Sequence, residues 1–155
     1  MVVGAEVEIV GKAGRRRIPL SELYREDGRA HLVLDTDEVL VCVHLPPDPA
    51  PSSYAKARVR SAMDFPLAGT AVALAVRNSR VTVLRVGLSG TNSRPFLLQG
   101  TEALLGRALD EGALEHLEDL VQKQVRPMRT TTTAAHYRRL AAAALVRRLA
   151  CALAA

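Results

Sequence analysis

The sequence predicts an α+β fold: an opening group of strands, then a three-stranded antiparallel sheet packed with about three helices. Three observations predict it. Apolar and polar residues alternate through the opening segments, the mark of half-buried strands. Pro46, Pro47, Pro49 and Pro51 crowd a short stretch that can join neither a helix interior nor a central ladder. After Thr101 the apolar spacing becomes that of one helical face. Strands first and helices last is α+β order, not the alternation of a doubly wound sheet.

Each element has its local reason. In Ala5-Glu6-Val7-Glu8-Ile9-Val10 alternate residues are apolar, so one face is buried and one is wet. Gly11-Lys12-Ala13-Gly14 turns the chain, and Arg15-Arg16-Arg17-Ile18-Pro19 returns as a solvated edge strand ended by proline. Ser21 caps a short turn before the polar loop 25–29. His31-Leu32-Val33-Leu34 and residues 39–45 supply two more strands. The proline-rich stretch 47–53 is the expected linker, dividing residues 1–46 from residues 54–155.

The second segment opens with a strand at residues 54–60. A hairpin follows, with Val72, Leu74 and Val76 on one face, Arg77-Asn78-Ser79-Arg80 at the turn, and residues 81–88 returning. Pro95-Phe96-Leu97-Leu98 is a short extended run. Thr101 is the expected cap of a short helix at 102–105, stopped by Gly106. Asp110 caps a longer one, in which Leu114, Leu117, Leu120, Val121 and Val125 share a stripe. The last helix begins near Ala134, with the threonines 130–133 as its expected cap. Ala142, Leu145, Leu149 and Leu153 lie on one side of it. Arg138 falls on that apolar stripe, where a charge needs a carboxylate or several carbonyls; a structural ion pair at the helix start is the simpler expectation.

Composition narrows the class. The chain has 155 residues, 48% of them apolar and only 3% aromatic, enough for a core and too few rings for a nucleic-acid stacking platform. The 21 basic and 16 acidic residues are unevenly placed: residues 1–50 carry net −3 and residues 51–155 net +8. A basic tail of this kind attracts an acidic protein or a nucleic acid, which defines one function class: a stand-alone basic interaction module. Arginine outnumbers lysine 18 to 3 along the whole chain, however, which is a general habit rather than a local footprint for nucleic acid. No run is long and apolar enough to span a membrane, and no export signal is visible. Cys42 and Cys151, in apolar surroundings, are expected to be buried free thiols of a cytoplasmic protein.

Catalytic and metal-binding patterns do not emerge. H-E-x-x-H, C-x-x-C, G-x-S-x-G and the Walker lysine loop are missing, and the four histidines have no ligand spacing. Neither a catalytic set nor a metal site is expected. Ser89-Gly90-Thr91-Asn92-Ser93 lacks a following phosphate helix and reads as a loop. Tyr54 and Lys56 stand apart. They share one face of a strand at an inter-segment boundary, where a ring and a lone lysine can flank a planar anionic cofactor.

Tyr54-Ala55-Lys56-Ala57-Arg58-Val59-Arg60 with Asp64-Phe65-Pro66-Leu67 resembles the opening of the C-terminal domain in the FAD-binding medium subunits of molybdenum hydroxylases, a family that includes carbon monoxide dehydrogenase, xanthine dehydrogenase and 4-hydroxybenzoyl-CoA reductase. The resemblance continues through the hairpin, Arg94-Pro95-Phe96, Leu104-Leu105-Gly106 and His136-Tyr137-Arg138-Arg139-Leu140. It reaches back through Gly4-Ala5-Glu6-Val7-Glu8, Arg17-Ile18-Pro19-Leu20 and Asp37-Glu38-Val39-Leu40. Within the family, residues 89–96, Gln122-Lys123-Gln124-Val125 and Pro127-Met128-Arg129-Thr130-Thr131 look most like the 4-hydroxybenzoyl-CoA reductase β subunit.

The resemblance implies that residues 1–46 are the incomplete last strands of a FAD-binding domain and that residues 54–155 are the C-terminal domain of the medium subunit. It implies FAD as cofactor, with Leu40, Tyr54 and Lys56 beside it, and electron transfer as the task. A molybdenum-binding large subunit and an iron–sulfur small subunit are the implied partners, which would hold the molybdenum cofactor and the clusters. The family's Gly-rich phosphate loops have no counterpart here, nor do the cysteines of the extra cluster in the hydroxybenzoyl-CoA enzymes. The implied FAD site is therefore incomplete, and this chain alone is expected to be inactive.

Overall fold

A computed structural model describes residues 1–59, 66–127 and 133–155. The motif residues 60–65 and 128–131, and the capping threonines 130–132, lie outside these described residues.

Among the described residues seven strands and two α-helices follow in chain order, and both sheets are antiparallel. β1 (Glu6–Gly11), β2 (Gly14–Pro19) and β3 (Val39–His44) form a three-stranded sheet with β1 central. β4 (Ser52–Ala57), β5 (Ala68–Arg77), β6 (Arg80–Ser89) and the two-residue β7 (Phe96–Leu97) form a second sheet in that order, packed by α1 (Glu111–Gln124) and α2 (Ala135–Ala154). The α+β class holds. The three strands expected after the linker are β4 to β6, and the short extended run adds β7 as a fourth.

Burial follows the alternation. Val7 and Ile9 are fully buried and join Leu23 in a small core, with Ile18, Leu32, Val33, Leu34 and Leu40 packed around it. In the second unit Val72, Leu74, Leu84, Val86 and Leu88 bury one sheet face against Leu117, Val121, Val146 and Leu149. The β5–β6 turn has both central residues, Asn78 and Ser79, at positive φ, as a tight hairpin matching strand twist requires. Asp110 caps α1 as expected, its side chain accepting from Ala113 N–H at 2.9 Å.

Several expectations are corrected. His31-Leu32-Val33-Leu34 forms no strand; only an isolated bridge joins Leu32 to Tyr24, because the short Leu23–Tyr24 run offers little ladder to pair with. The short helix after Gly100 is a single 3-10 turn, Thr101–Leu104. Its cap is Gly100, in the left-handed region, and the Thr101 side chain makes no capping bond. Ala134 precedes α2, again with no side-chain capping bond. Cys42 and Cys151 are exposed free thiols: Cys42 points out of edge strand β3, and Cys151 lies on the solvent side of α2.

The arginine-rich β2 is an edge strand, but its arginines are engaged. Arg15 and Arg17 reach Glu8 on β1, and Arg16 grips Glu38 with Nε and Nη2, both at 2.8 Å. Arg16, with the Asp35 backbone N–H, holds the Glu38 carboxyl down at about 2.

Candidate functional site

β4 carries two of the expected site residues on one face. Tyr54 and Lys56 point away from the helices and are exposed, while Ala55 between them packs toward the core. Register continues this face across the sheet. Tyr54 pairs with Ala71 and Ala71 with Gly87; Lys56 pairs with Gly69 and Gly69 with Ser89. The outer face is thus a floor of small residues bordered by a ring and an ammonium group.

The floor lies close to its neighbours. A Cβ on Gly69 would fall 2.6 Å from Ser89 Oγ and 3.2 Å from Tyr54 Oη, so the tyrosine ring leans across the strand where glycine leaves room. A Cβ on Gly87 would stand 3.0 Å from Val2 Cγ1, because the N-terminal segment crosses this face. Together they shape a cleft of about 160 Å³, in which Met1, Val2, Pro95 and Tyr54 surround Gly69 and Gly87. Sequence reasoning reached Tyr54 and missed the floor. The available signal was the run of small residues at alternate positions, Gly69, Ala71 and Ala73.

Leu40 is placed differently. It faces Ile9 across β1–β3 and packs against the first core. A register shift between Glu8 and Ile9 inserts Val41 into β3. Val39, Val41 and Val43 are exposed along this edge strand, and Leu45 just beyond it.

On the other face of the same strand pair, Glu8 is buried except for its carboxylate contacts. His44 Nε2 lies 2.7 Å from Glu8 Oε2, and Arg15 Nη1 donates to Oε1. The hydrogen bond with His44, then that from Arg15, keeps the Glu8 carboxyl below the ordinary carboxylate range against the opposing effect of burial.

Three of the four arginines of α2 are engaged by the fold, while Arg148 is exposed. Buried Arg138 donates from Nε to the Leu67 carbonyl at 2.9 Å and from Nη2 to the Gly90 carbonyl. Arg139 donates to the Val125 carbonyl at 3.0 Å, and Arg147 bridges Glu111 and Glu118 of α1. These three groups serve the fold, which weakens the case for a stand-alone basic module. Among the described residues no helix is long and apolar enough to cross a membrane, and no three His, Cys, Asp or Glu side chains converge on a metal-sized site.

A two-layer α+β unit with a small-residue outer sheet face, joined to a short β-sheet, defines the class, and comparison places it. Residues 52–153 match the CO dehydrogenase flavoprotein C-terminal domain, and the chain belongs to that family. It is 25% identical over 148 residues to the carbon monoxide dehydrogenase medium chain of Afipia carboxidovorans, covering 94% of this chain and 51% of that one. It is 28% identical over 131 residues to the xanthine dehydrogenase FAD-binding subunit of Escherichia coli, covering 82% of this chain and 44% of that one. Among solved structures, carbon monoxide dehydrogenase from Hydrogenophaga pseudoflava, in a form lacking the Mo-pyranopterin moiety, superposes with a TM-score of 0.89 at 25% identity; the match covers 99% of this chain and 55% of that one. The chain spans about half the length of the curated relatives it matches.

Proposed function

We propose that this chain forms one wall of the flavin site in the FAD-binding, electron-transfer subunit of a molybdenum-dependent oxidoreductase. The observation that carries the reading is the outer face of β4 to β6, inside the matched family region, where Tyr54 and Lys56 border Gly69, Ala71 and Gly87. Beside Val2, which covers Gly87, a flat ring edge meets only the small residues Gly69 and Ala71, and Tyr54 offers a ring to stack against it. Lys56 offers a positive charge, which stabilises an anionic reduced ring and so raises its potential. Bound FAD would supply the chemistry of accepting and passing on electrons.

The residues fit the ring end of the cofactor and not the whole. A cleft of about 160 Å³ is below the roughly 300–1,000 Å³ usual for complete ligand sites. The remaining wall and the phosphate contacts come from a complementary segment. Leu40, half-buried against the first core, is assigned to the same ring by its position in the Asp37-Glu38-Val39-Leu40 motif alone.

The division at residues 47–53, with a FAD-domain portion before it and the C-terminal domain after it, is part of the same reading. So are a molybdenum-binding large subunit and an iron–sulfur small subunit as partners, and a cytoplasmic location. The substrate is assigned by motif: residues 89–96 and 122–125 resemble the 4-hydroxybenzoyl-CoA reductase β subunit, which gives reductive dehydroxylation of an aromatic acyl-CoA, or hydroxylation of a related substrate, at the molybdenum centre of the complex.

The test is a visible-absorbance titration with FAD of this chain and of this chain joined to a family FAD-binding segment. A shifted flavin spectrum in the joined protein, weak or missing in the shorter one, is expected. A joined, folded protein that leaves the spectrum of free FAD unchanged overturns the reading.

A further inference from the structure

A larger cavity, of about 530 Å³, lies between the turn after β2, the run into β7 and the C-terminal end of α1. None of Leu40, Tyr54 or Lys56 lines it. Its floor is held by a closed set of amide bonds. Gln99 N–H donates to Gln124 Oε1 at 3.0 Å, and Gln124 Nε2 donates back to the Gln99 carbonyl at 2.8 Å. Asn92 Nδ2 donates to the Gln124 carbonyl at 3.0 Å, while Asn92 Oδ1 accepts from Arg126 N–H at 2.9 Å. The end of α1 is therefore fixed on the loops before and after β7, and the Gln124 carbonyl is already occupied.

Three cations, Arg94, Lys123 and Arg126, stand around this floor. Their side chains have no hydrogen-bond or ion-pair partner among the described residues, unlike the arginines of β2 and Arg138, Arg139 and Arg147 of α2. One acid, Glu26, lines the cavity, and its Oε1 accepts from Ser93 Oγ at 3.3 Å. Cations gathered around a rigid concavity repel one another, and an anion there relieves that repulsion. Two guanidinium forks and an ammonium group suit phosphate oxygens in particular. Half-buried Phe96 adds a flat apolar wall, and the volume exceeds what a lone ion needs.

We propose that this cavity binds a phosphate-bearing nucleotide of nucleoside-diphosphate size. Arg94, Lys123 and Arg126 hold the phosphates, and Phe96 covers the base. The site stands independently of the flavin wall, since the two share no residue apart from their common scaffold.

Calorimetric titration of the 155-residue chain tests it, with ADP as probe and pyrophosphate and adenosine as its separate halves. ADP is expected to bind more tightly than either half and more weakly as salt rises. Lys123→Ala combined with Arg126→Ala should weaken ADP at least tenfold. Lys123→Arg should retain most of the affinity, and Arg148→Ala, outside the cavity, should leave it unchanged. The mutated side chains are exposed and carry no described bonds, so an unaltered thermal melt is expected for each variant. Absent ADP binding overturns the proposal, as does equal binding by the double variant. Pyrophosphate as tight as ADP reduces the cavity to a simple anion site and overturns the nucleotide assignment. Displacement of ADP by equimolar FAD overturns it as a separate site.

Discussion

His44 on β3 and Glu8 on β1 meet across the first sheet, Nε2 to Oε2 at 2.7 Å, with Arg15 closing on the other carboxylate oxygen. The strand pair that exposes its valines at one edge is thus pinned by a buried carboxylate. Because the Glu8 carboxyl is held below its ordinary value of 4.5, the folded state binds its proton less readily than the unfolded chain. Its stabilising contribution is complete above pH 4.5 and is lost as pH falls through the lowered folded value. Glu38, held at about 2 by Arg16, has the same sign. Thermal melts from pH 7 down to pH 2 should show a falling midpoint below about pH 4.5, and Glu8→Gln should flatten that fall while lowering the midpoint at pH 7. A variant with the same pH profile as the parent would show that Glu8 is not the linked group.

Arg138 bears on a different part of the fold. Its guanidinium serves the carbonyls of Leu67 and Gly90, on either side of the β5–β6 hairpin. Arg138→Ala leaves these acceptors without that donor, and each buried unsatisfied group costs about 1–3 kcal/mol. Urea denaturation should show a loss of that order or more. Arg147→Ala, which breaks a partly exposed pair with Glu111 and Glu118, should be the milder change.

Leu117 is fully buried at the centre of α1 against the second sheet. Leu117→Ala should cost about 2–5 kcal/mol by denaturant titration, since the lost contacts and the cavity both count. Leu105→Ala, at an exposed position, should move the midpoint little.

Two glycines should respond differently to alanine. Gly90 has φ +72°, and an added Cβ would lie 3.0 Å from the Pro66 carbonyl oxygen, a backbone atom with little freedom to retreat. Gly69 meets the far ends of Ser89 and Tyr54, which can turn away. Gly90→Ala should therefore lower the melting temperature clearly, at about 1–2 kcal/mol from the left-handed backbone alone. Gly69→Ala should keep most stability and instead displace Tyr54, altering flavin binding in the joined protein.

Lys56→Ala in the joined protein should lower the flavin reduction potential, because a positive charge near the ring favours its reduced, anionic form. Tyr54→Ala should weaken flavin affinity instead. Potentiometry with absorbance readout separates the two. An unchanged potential for Lys56→Ala would make Lys56 a lysine of the sheet surface only.

Much of the fold was legible because its signals are local. The alternation at Val7 and Ile9, the Asn78-Ser79 turn and the Asp110 cap each depend on neighbours within a few residues, and each appears where the pattern places it. Tyr54 and Lys56 were legible for the same reason: a period of two puts them on one face. The expected strand at residues 31–34 did not form, because pairing depends on a distant partner of sufficient length. The exposure of Cys42 and Cys151 was not legible, because apolar neighbours in sequence do not reveal which face of an edge strand or helix meets solvent.

By itself the sequence determined the order of strands and helices, the family resemblance and the shared face of Tyr54 and Lys56. Only the tertiary structure decided the Gly69, Ala71 and Gly87 floor beside them, the inward turn of Arg138, Arg139 and Arg147, and the cationic cavity built from three separate segments. The physical reason is range. Periodicity and capping act within a turn or a strand, whereas a floor, an ion pair or a cavity exists only where register and packing bring together residues far apart in the chain.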